Sequence, residues 1–241
     1  SRTGEVVTGE WLLDEAKKRA LSLIEEAVRG KLEANEREKV AEMMAVGAVK
    51  YAMLRHNIGA DLEFDFGQAV SFEGDSGPYL QYTYARTQSV LEKDSRSKVQ
   101  GSKFDSEHLP AGRQGLSLDI NTEELAVLRY LYRFPEVVAQ AAQLYAPNLV
   151  CDFLFELAQR FNSFYNKHSI LGLEGSDSTR SSPPSGGREA APEGQRGSDP
   201  NTVTETESDP RKEFRLAFTA AVGQVLKNGL HLLGIQAPEK M

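Results

Sequence analysis

Apolar residues recur at intervals of three and four along most of the chain, the period that places them on one face of an α-helix. The first stripe follows Thr8, which can cap a helix that Gly30 can end. Its apolar positions are Leu12, Leu13, Ala16, Ala20, Ile24 and Ala27. Asn35 and Glu38 have the spacing of a capping box before a second stripe. The apolar positions of that stripe are Val40, Met43, Met44, Gly47 and Tyr51.

A short stretch with a different period follows the second predicted helix. Leu62, Phe64 and Phe66 alternate with acidic residues, which predicts an extended segment before a Gly-rich turn. From Tyr79 to about Leu91 the spacing predicts a helix again.

The second half of the chain carries further apolar stripes, separated by proline. Asn121 and Glu124 predict a capping box, Pro135 and Pro147 each restart a helix, and Gly234 closes the last one. The apolar positions of the last two stripes are Leu149, Phe153, Leu154, Leu157, Phe161, Phe164, Phe214, Phe218, Ala221, Val225 and Leu230. Five or more helices with short breaks predict an all-α helical bundle.

Two stretches do not follow this pattern. Residues 175–210 are rich in Ser, Gly, Pro and Glu and have almost no apolar side chains. Such a segment buries too little surface to offset its ordering entropy, so we expect a disordered insert that loops out of the fold. Residues 93–115 are expected to be a second, shorter insert.

The charge of the chain is unevenly distributed. The net charge is -7 over 241 residues, but residues 171–210 alone contain eight acidic residues and three arginines. Residues 211–241 are basic, with five basic and two acidic side chains. Electrostatics therefore neither requires nor excludes a nucleic-acid partner. The sequence has no apolar run of membrane-spanning length and a single cysteine, Cys151, so the expected location is the cytoplasm, away from any membrane.

A Gly-rich turn that leads into an aromatic helix with one arginine has the clearest candidate chemistry. Tyr79, Tyr82 and Arg86 could stack on or hydrogen-bond to unpaired nucleic-acid bases, although tyrosines at this spacing also occur in half-buried cores. The segment from Gly74 to Pro78 is also similar to the nucleophile loop of chymotrypsin-like serine proteases. That chemistry needs a histidine and an aspartate placed by a β scaffold, so we reject it for this helical chain.

Runs of residues in both halves of the chain match one known family in order and spacing. The first runs are Gly47-Ala48-Val49-Lys50-Tyr51, Phe64-Asp65-Phe66, Ser71-Phe72-Glu73-Gly74 and Gly77-Pro78-Tyr79-Leu80-Gln81-Tyr82 with Arg86. The later runs are Leu128-Arg129-Tyr130-Leu131, Phe134-Pro135-Glu136, Phe161-Asn162-Ser163-Phe164-Tyr165, Val225-Leu226-Lys227-Asn228-Gly229-Leu230 and Pro238-Glu239-Lys240-Met241. Together they resemble the C-terminal half of bacterial arginyl-tRNA synthetases, which are class I aminoacyl-tRNA synthetases.

The resemblance implies a fold and a division of the chain. Residues 1–72 would be the helical C-terminal edge of a catalytic domain, and residues 73–241 a helical anticodon-binding domain that carries both inserts. The whole enzyme would be an arginine-tRNA ligase that uses ATP and Mg2+, with an arginine-specific tRNA as its partner. We expect no metal site in this chain, no cofactor bound by this chain alone, and a monomer.

The resemblance also implies roles for individual residues. Arg2 would be the remnant of the signature loop that closes over ATP. The turn with Gly74, Asp75, Gly77, Pro78 and Tyr79 would be a mobile loop that rearranges when tRNA binds. The path of the anticodon would be lined by Tyr82, Arg86, Tyr165 and Met241. Tyr165 would lie beside the recognised cytosine in the middle of the anticodon, and the Met241 carboxylate would accept from its amine.

The sequence lacks the parts that class I catalysis requires. No glycine-rich strand-to-helix turn or parallel sheet is predicted, and His56-Asn57-Ile58-Gly59 lacks the second histidine of the class I motif. We therefore interpret that tetrapeptide as a loop, and expect that the chain does not activate arginine unaided. The alternative hypothesis is an all-α protein-interaction module without RNA or catalytic function.

Overall fold

A computed structural model describes residues 8–28, 33–61, 63–98, 120–171 and 210–241. These residues form helices and no strand, which confirms the predicted all-α class. The helices are α1 (Gly9–Val28), α2 (Ala34–Leu54), α3 (Phe66–Ala69), α4 (Gly77–Lys98), α5 (Thr122–Leu131), α6 (Phe134–Leu144), α7 (Asn148–Lys167) and α8 (Pro210–Leu232). In the described part of the chain, no helix has the length and apolar character needed to span a membrane.

Several predicted helix ends are confirmed. The hydroxyl of Thr8 accepts from the backbone N–H of Trp11 at 3.2 Å, and Gly30 lies outside the described residues. Asn121 and Glu124 form a reciprocal capping box at the start of α5, with bonds of 2.7 and 3.0 Å. These caps satisfy backbone N–H groups that the first helical turn leaves without a partner.

Proline and positive-φ residues separate the later helices as expected. Pro135 lies in the first turn of α6, and Pro147 precedes α7 directly. Tyr145 adopts a left-handed conformation at φ 54° and ends α6, while Gly234 follows α8 at φ 68°. The His56-to-Gly59 stretch lies in the turn after α2, as interpreted from the sequence.

Two local predictions are wrong. Helix α2 begins at Ala34 after Glu33, so Asn35 lies inside the first turn and does not cap it. A capping residue needs extended backbone angles, which Glu33 adopts two residues earlier. Phe66 begins the short helix α3 instead of ending an extended segment, because Asp65 accepts from the Gly67 N–H at 2.7 Å. Leu62 lies outside the described residues.

Helix α4 is longer than predicted at both ends. It begins at Gly77 instead of Tyr79 and continues to Lys98, so the first residues of the predicted 93–115 insert are helical. Asp94 on α4 is buried and lies 3.1 Å from the Lys212 ammonium on α8, which extends the contact between these two helices. Pro210, assigned to the 175–210 insert, begins α8; the remainder of both inserts lies outside the described residues.

The buried residues form two core clusters. The larger one joins α4 to α5, α6, α7 and α8, and its fully buried members include Leu80, Leu154, Leu157, Phe161, Phe164, Val222, Leu226 and Leu230. The smaller one lies between α1 and α2 and includes Ala16, Ala20, Ile24, Met44 and Ala48. Tyr51 of α2 belongs to the larger cluster, so α2 contributes to both. Cys151 is buried in the larger cluster, and its burial raises the thiol pKa to about 12.

A close backbone contact joins α2 to the start of α4. A methyl group placed on Gly77 would collide with the backbone carbonyl of Gly47, so only glycine fits at this position. Because both partners are helix backbone, neither can move aside as a flexible side chain would. The contact fixes where the first turn of α4 packs against α2.

A buried ion pair joins α5 to α8. Arg215 donates from Nε to Glu124 at 2.9 Å and from Nη1 to the carbonyl of Ser169 at 2.6 Å. Only 1% of the Glu124 side chain and 10% of the Arg215 side chain are exposed. Removing one partner of such a pair is strongly destabilising, because the other charge then stays buried without compensation.

We expect Glu124→Ala to lower the free energy of unfolding by about 3–5 kcal/mol, because it leaves the Arg215 charge buried and removes the acceptor of the Asn121 N–H. Glu123→Ala is the matched control, since the neighbouring carboxylate is 39% exposed and pairs with Lys167 at the surface. That change should cost about 0–1 kcal/mol. Urea unfolding followed by circular dichroism measures both. Equal losses for the two variants would contradict the assignment.

Candidate nucleic-acid interface

Arg86 on α4 lies over two tyrosine rings. Its guanidinium carbon is 4.9 Å from the ring centroid of Tyr82, four residues earlier on the same helix. It is also 4.9 Å from the ring centroid of Tyr165, near the end of α7. Both distances are within the range of cation–π attraction. The structure thus brings together three residues that the sequence analysis assigned to one site.

Asn162 on α7 fixes the orientation of this arginine. The Nη1 group of Arg86 donates to the side-chain oxygen of Asn162 at 2.6 Å. The amide nitrogen of Asn162 lies 3.0 Å from the Tyr79 hydroxyl and 3.0 Å from the Thr83 hydroxyl, donating to both. Asn162 is 9% exposed and therefore links three residues of α4 to α7 from a buried position.

Two further rings pack against these residues, which are called the Arg86 cluster here: Tyr79, Tyr82, Arg86, Asn162 and Tyr165. Tyr79 contacts Phe155 edge-on at 5.8 Å between centroids, and the Tyr82 ring lies 5.5 Å from Phe72. Tyr79, Tyr82 and Tyr165 are each partly exposed, so their rings combine packed and solvent-facing surface. A planar base can stack on such a ring or on a guanidinium, and Arg86 retains N–H donors beyond Nη1 for a base edge.

The structure separates the predicted mobile loop into two parts. Gly74 is exposed and has φ 77°, a conformation that favours glycine, as expected for the turn. Gly77, Pro78 and Tyr79 instead belong to the first turn of α4, where Gly77 and Pro78 are buried. The hydroxyl of Ser76 accepts from the Tyr79 N–H at 3.1 Å, which starts the helix earlier than the sequence pattern indicated.

Asp75, in the turn before α4, is hydrogen-bonded to residues at the end of α2 instead of to the Arg86 cluster. The Tyr51 hydroxyl donates to its carboxylate at 2.5 Å and lies 3.3 Å from the carbonyl oxygen of Cys151. Arg55 donates to the backbone carbonyl of Asp75 at 2.6 Å. Burial, followed by the bond to Asp75, raises the pKa of the Tyr51 hydroxyl well above its ordinary value. These bonds tie the turn before α4 to α2, and α2 to α7.

The remaining predicted site residues are not joined to the Arg86 cluster by direct contacts that the structure describes. Met241 is partly buried and packs against the smaller core cluster, as does Phe72. Arg2 lies outside the described residues. Within the described part of the chain, no group of three or more His, Cys, Asp or Glu side chains is arranged to hold a metal ion.

Sequence reasoning missed Asn162, which lies at the centre of the hydrogen-bond network. The residue was visible only as one member of a motif on an apolar helix. A buried amide on such a stripe has to find hydrogen-bond partners, so an asparagine between Phe161 and Phe164 was the available signal. The identity of its partners depends on how α4 and α7 pack, which the sequence pattern does not contain.

Two protein-family models match this chain. The sequence model of the DALR anticodon binding domain matches residues 80–180 and 199–241, which include the whole Arg86 cluster except Tyr79. The chain belongs to the DALR anticodon-binding family. The model of the class I (R) tRNA synthetase catalytic domain matches residues 1–66. The DALR match therefore covers α4 from Leu80 onward and the later helices, whereas α1 and α2 lie in the other match.

The curated relatives of the DALR chain are longer proteins than the chain itself. The arginine–tRNA ligase of Fusobacterium nucleatum is 34% identical over the whole chain, which spans 34% of that protein. The corresponding ligase of Thermococcus kodakarensis is 35% identical over 97% of the chain, which spans 30% of it. The chain thus spans about a third of the length of these curated relatives. The resemblance stated from the sequence motifs is confirmed.

Two solved structures share the fold of the DALR chain. The Thermus thermophilus arginyl-tRNA synthetase superposes with a TM-score of 0.68 at 28% identity, covering 99% of this chain and 33% of the synthetase. The Plasmodium falciparum arginyl-tRNA synthetase superposes with a TM-score of 0.67 at 18% identity, covering 98% of this chain and 34% of the other. The second likeness concerns the fold alone.

We expect Asn162→Leu to destabilise the DALR fold by about 1–3 kcal/mol, because Arg86 loses an acceptor and the hydroxyls of Tyr79 and Thr83 each lose a donor. Asn166→Leu is the matched control on the same helix, since Asn166 is exposed. That substitution should change the unfolding free energy by no more than about 0.5 kcal/mol. Thermal and urea unfolding provide the measurement. A smaller loss for Asn162→Leu than for Asn166→Leu would refute the assigned network.

Proposed function

We propose that this chain is the tRNA-binding part of an arginine-tRNA ligase and that the Arg86 cluster contacts an unpaired base of the anticodon loop. The observation that carries the proposal is the placement of Arg86 over Tyr82 and Tyr165 on two helices of an anticodon-binding domain. An oriented guanidinium beside partly exposed rings offers both a stacking surface and hydrogen-bond donors.

Base recognition is the role we assign to the residues around that cluster. Tyr165 lies beside the base at the middle position of the anticodon, a cytosine, and the Met241 carboxylate accepts from its exocyclic amine. Gly74, Asp75, Gly77, Pro78 and Tyr79 contribute through the turn and the start of α4. Asp75 contributes by attaching the turn to Tyr51 and Arg55 through hydrogen bonds, and it does not contact RNA directly.

The chemistry of aminoacylation belongs to the rest of the ligase. We place the boundary between the catalytic edge and the anticodon-binding domain after residue 72, in the interval between the two family matches. ATP and Mg2+ serve the catalytic domain, where Arg2 would lie beside ATP, and the chain alone binds neither. The expected partner is an arginine-specific tRNA, and the expected state is a monomer in the cytoplasm.

The deciding experiment measures binding of the chain to two stem-loop RNAs by fluorescence anisotropy. One carries the anticodon loop of an arginine-specific tRNA, and the other differs only by uracil in place of the middle cytosine. Both are titrated at two salt concentrations, because contacts to phosphates weaken with salt whereas base readout persists. A preference for cytosine that persists at the higher salt supports the proposal. Absence of RNA binding would favour a protein-interaction module instead.

Removing one stacking ring should weaken binding selectively. We expect Tyr165→Ala to reduce affinity for the cytosine loop by about tenfold, since base–aromatic stacking is worth about 1–3 kcal/mol per base. Tyr132→Ala is the matched control, because Tyr132 is 88% exposed and follows α5, outside the cluster. Its affinity should equal that of the unmodified chain. Circular dichroism checks that both variants keep their helices, and equal affinities for all three proteins would reject the stacking role.

A further inference from the structure

Gln81 is a fully buried polar residue on α4, next to Tyr82 in sequence, to which no role has been assigned so far. Its amide nitrogen lies 3.0 Å from the carbonyl oxygen of Met43 on α2. The same nitrogen lies 2.7 Å from the carbonyl oxygen of Gln236, beyond the end of α8. Each amide hydrogen can therefore be donated to a different part of the chain, and one side chain connects three segments.

The surroundings of Gln81 are shaped around its amide group. A methyl group on Gly47 would lie 2.8–2.9 Å from the Oε1, Cδ and Nε2 atoms, so glycine leaves the space that the amide occupies. The Oε1 atom is buried without a hydrogen-bond partner among the described residues. An unpaired buried acceptor destabilises a fold, and an apolar side chain of the same shape would avoid that loss. Stability alone therefore does not explain a glutamine here.

The segment that Gln81 contacts is attached at a second point. Residues 233–241 follow α8 and are called the C-terminal segment here. The exposed Lys50 ammonium on α2 donates to the carbonyl oxygen of Gly234 at 2.5 Å, where φ of 68° turns the chain. Pro238 is buried, and Met241 packs against the smaller core cluster. Phe72 packs against the same cluster and also contacts the Tyr82 ring.

We propose that Gln81 is a positioning residue for base recognition: it fixes the C-terminal segment against α2 and α4. Lys50 provides the second attachment at the start of the same segment. The inference rests on the proposed function, in which Met241 at the end of this segment takes part in recognising a cytosine. Gln81 itself does not touch the base, since it is 0% exposed.

The test compares Gln81→Met with Gln88→Met in the full chain. Methionine has a similar length and flexibility but cannot donate to either carbonyl. Gln88 lies two turns along α4, is only partly buried, and contacts Thr87 instead of the C-terminal segment. The readout is the ratio of affinities for the cytosine and uracil stem-loops. We expect Gln81→Met to lower this ratio by about tenfold, the size of one base contact, and Gln88→Met to leave it unchanged.

Lys50→Ala gives an independent variant in case Gln81→Met does not fold, because Lys50 is exposed and its removal opens no cavity. It should also lower the ratio. Hydrogen exchange of backbone amides in residues 233–241 is a second readout that needs no RNA, and it should be faster in both variants.

An unmodified chain without a preference for cytosine would reject the proposed function, and the exchange readout alone would then decide the role of Gln81. Unchanged exchange in the variants, or an unchanged ratio in a chain that prefers cytosine, would overturn the positioning role.

Discussion

The burial of α4 is the constraint on which the rest of the structure depends. This helix packs against α2, α7 and α8, and a run of its side chains is fully or almost fully buried: Leu80, Gln81, Thr83, Tyr84, Ala85 and Thr87. Two of them are threonines whose hydroxyls donate to carbonyl groups within the helix, at 2.9 Å for Thr83 and 2.7 Å for Thr87. A buried hydroxyl has to be hydrogen-bonded, and these bonds allow polar residues to face several neighbouring helices. The packing of this buried face thus fixes the rotation of α4 about its axis.

The fixed rotation of α4 determines which side chains reach the interface. Tyr79, Tyr82 and Arg86 are spaced by three and four residues, so they project from the same face of the helix. Asn162 then connects this face to α7 and brings Tyr165 next to Arg86. The anticodon-binding chemistry we propose is therefore a consequence of helix packing, because no flexible loop is needed to assemble the cluster.

The parts of the fold that depend on local chemistry were predictable from the sequence, and those that depend on distant partners were not. The capping box of Asn121 involves atoms three residues apart, so its pattern is visible in the sequence. Asn35 and Glu38 have the same spacing, but Glu33 occupies the N-cap position and Asn35 lies inside the helix. The bond between Asp75 and Tyr51 joins residues 24 positions apart, so the pattern of the sequence did not show it. The buried role of Asn162 depends on an interhelical contact in the same way.

The choice of arginine at position 86 follows from the geometry of its two ring contacts. A guanidinium is planar and can lie against aromatic rings while its edge forms hydrogen bonds, whereas an ammonium is a point charge with stronger hydration. In this chain one edge donates to Asn162 while the carbon stays 4.9 Å from both ring centroids. The side chain is therefore ordered before any ligand arrives, and binding a base requires less loss of conformational entropy. A lysine could supply the charge but not this prior orientation, so the proposed base contact depends on the bond to Asn162 as well as on the charge.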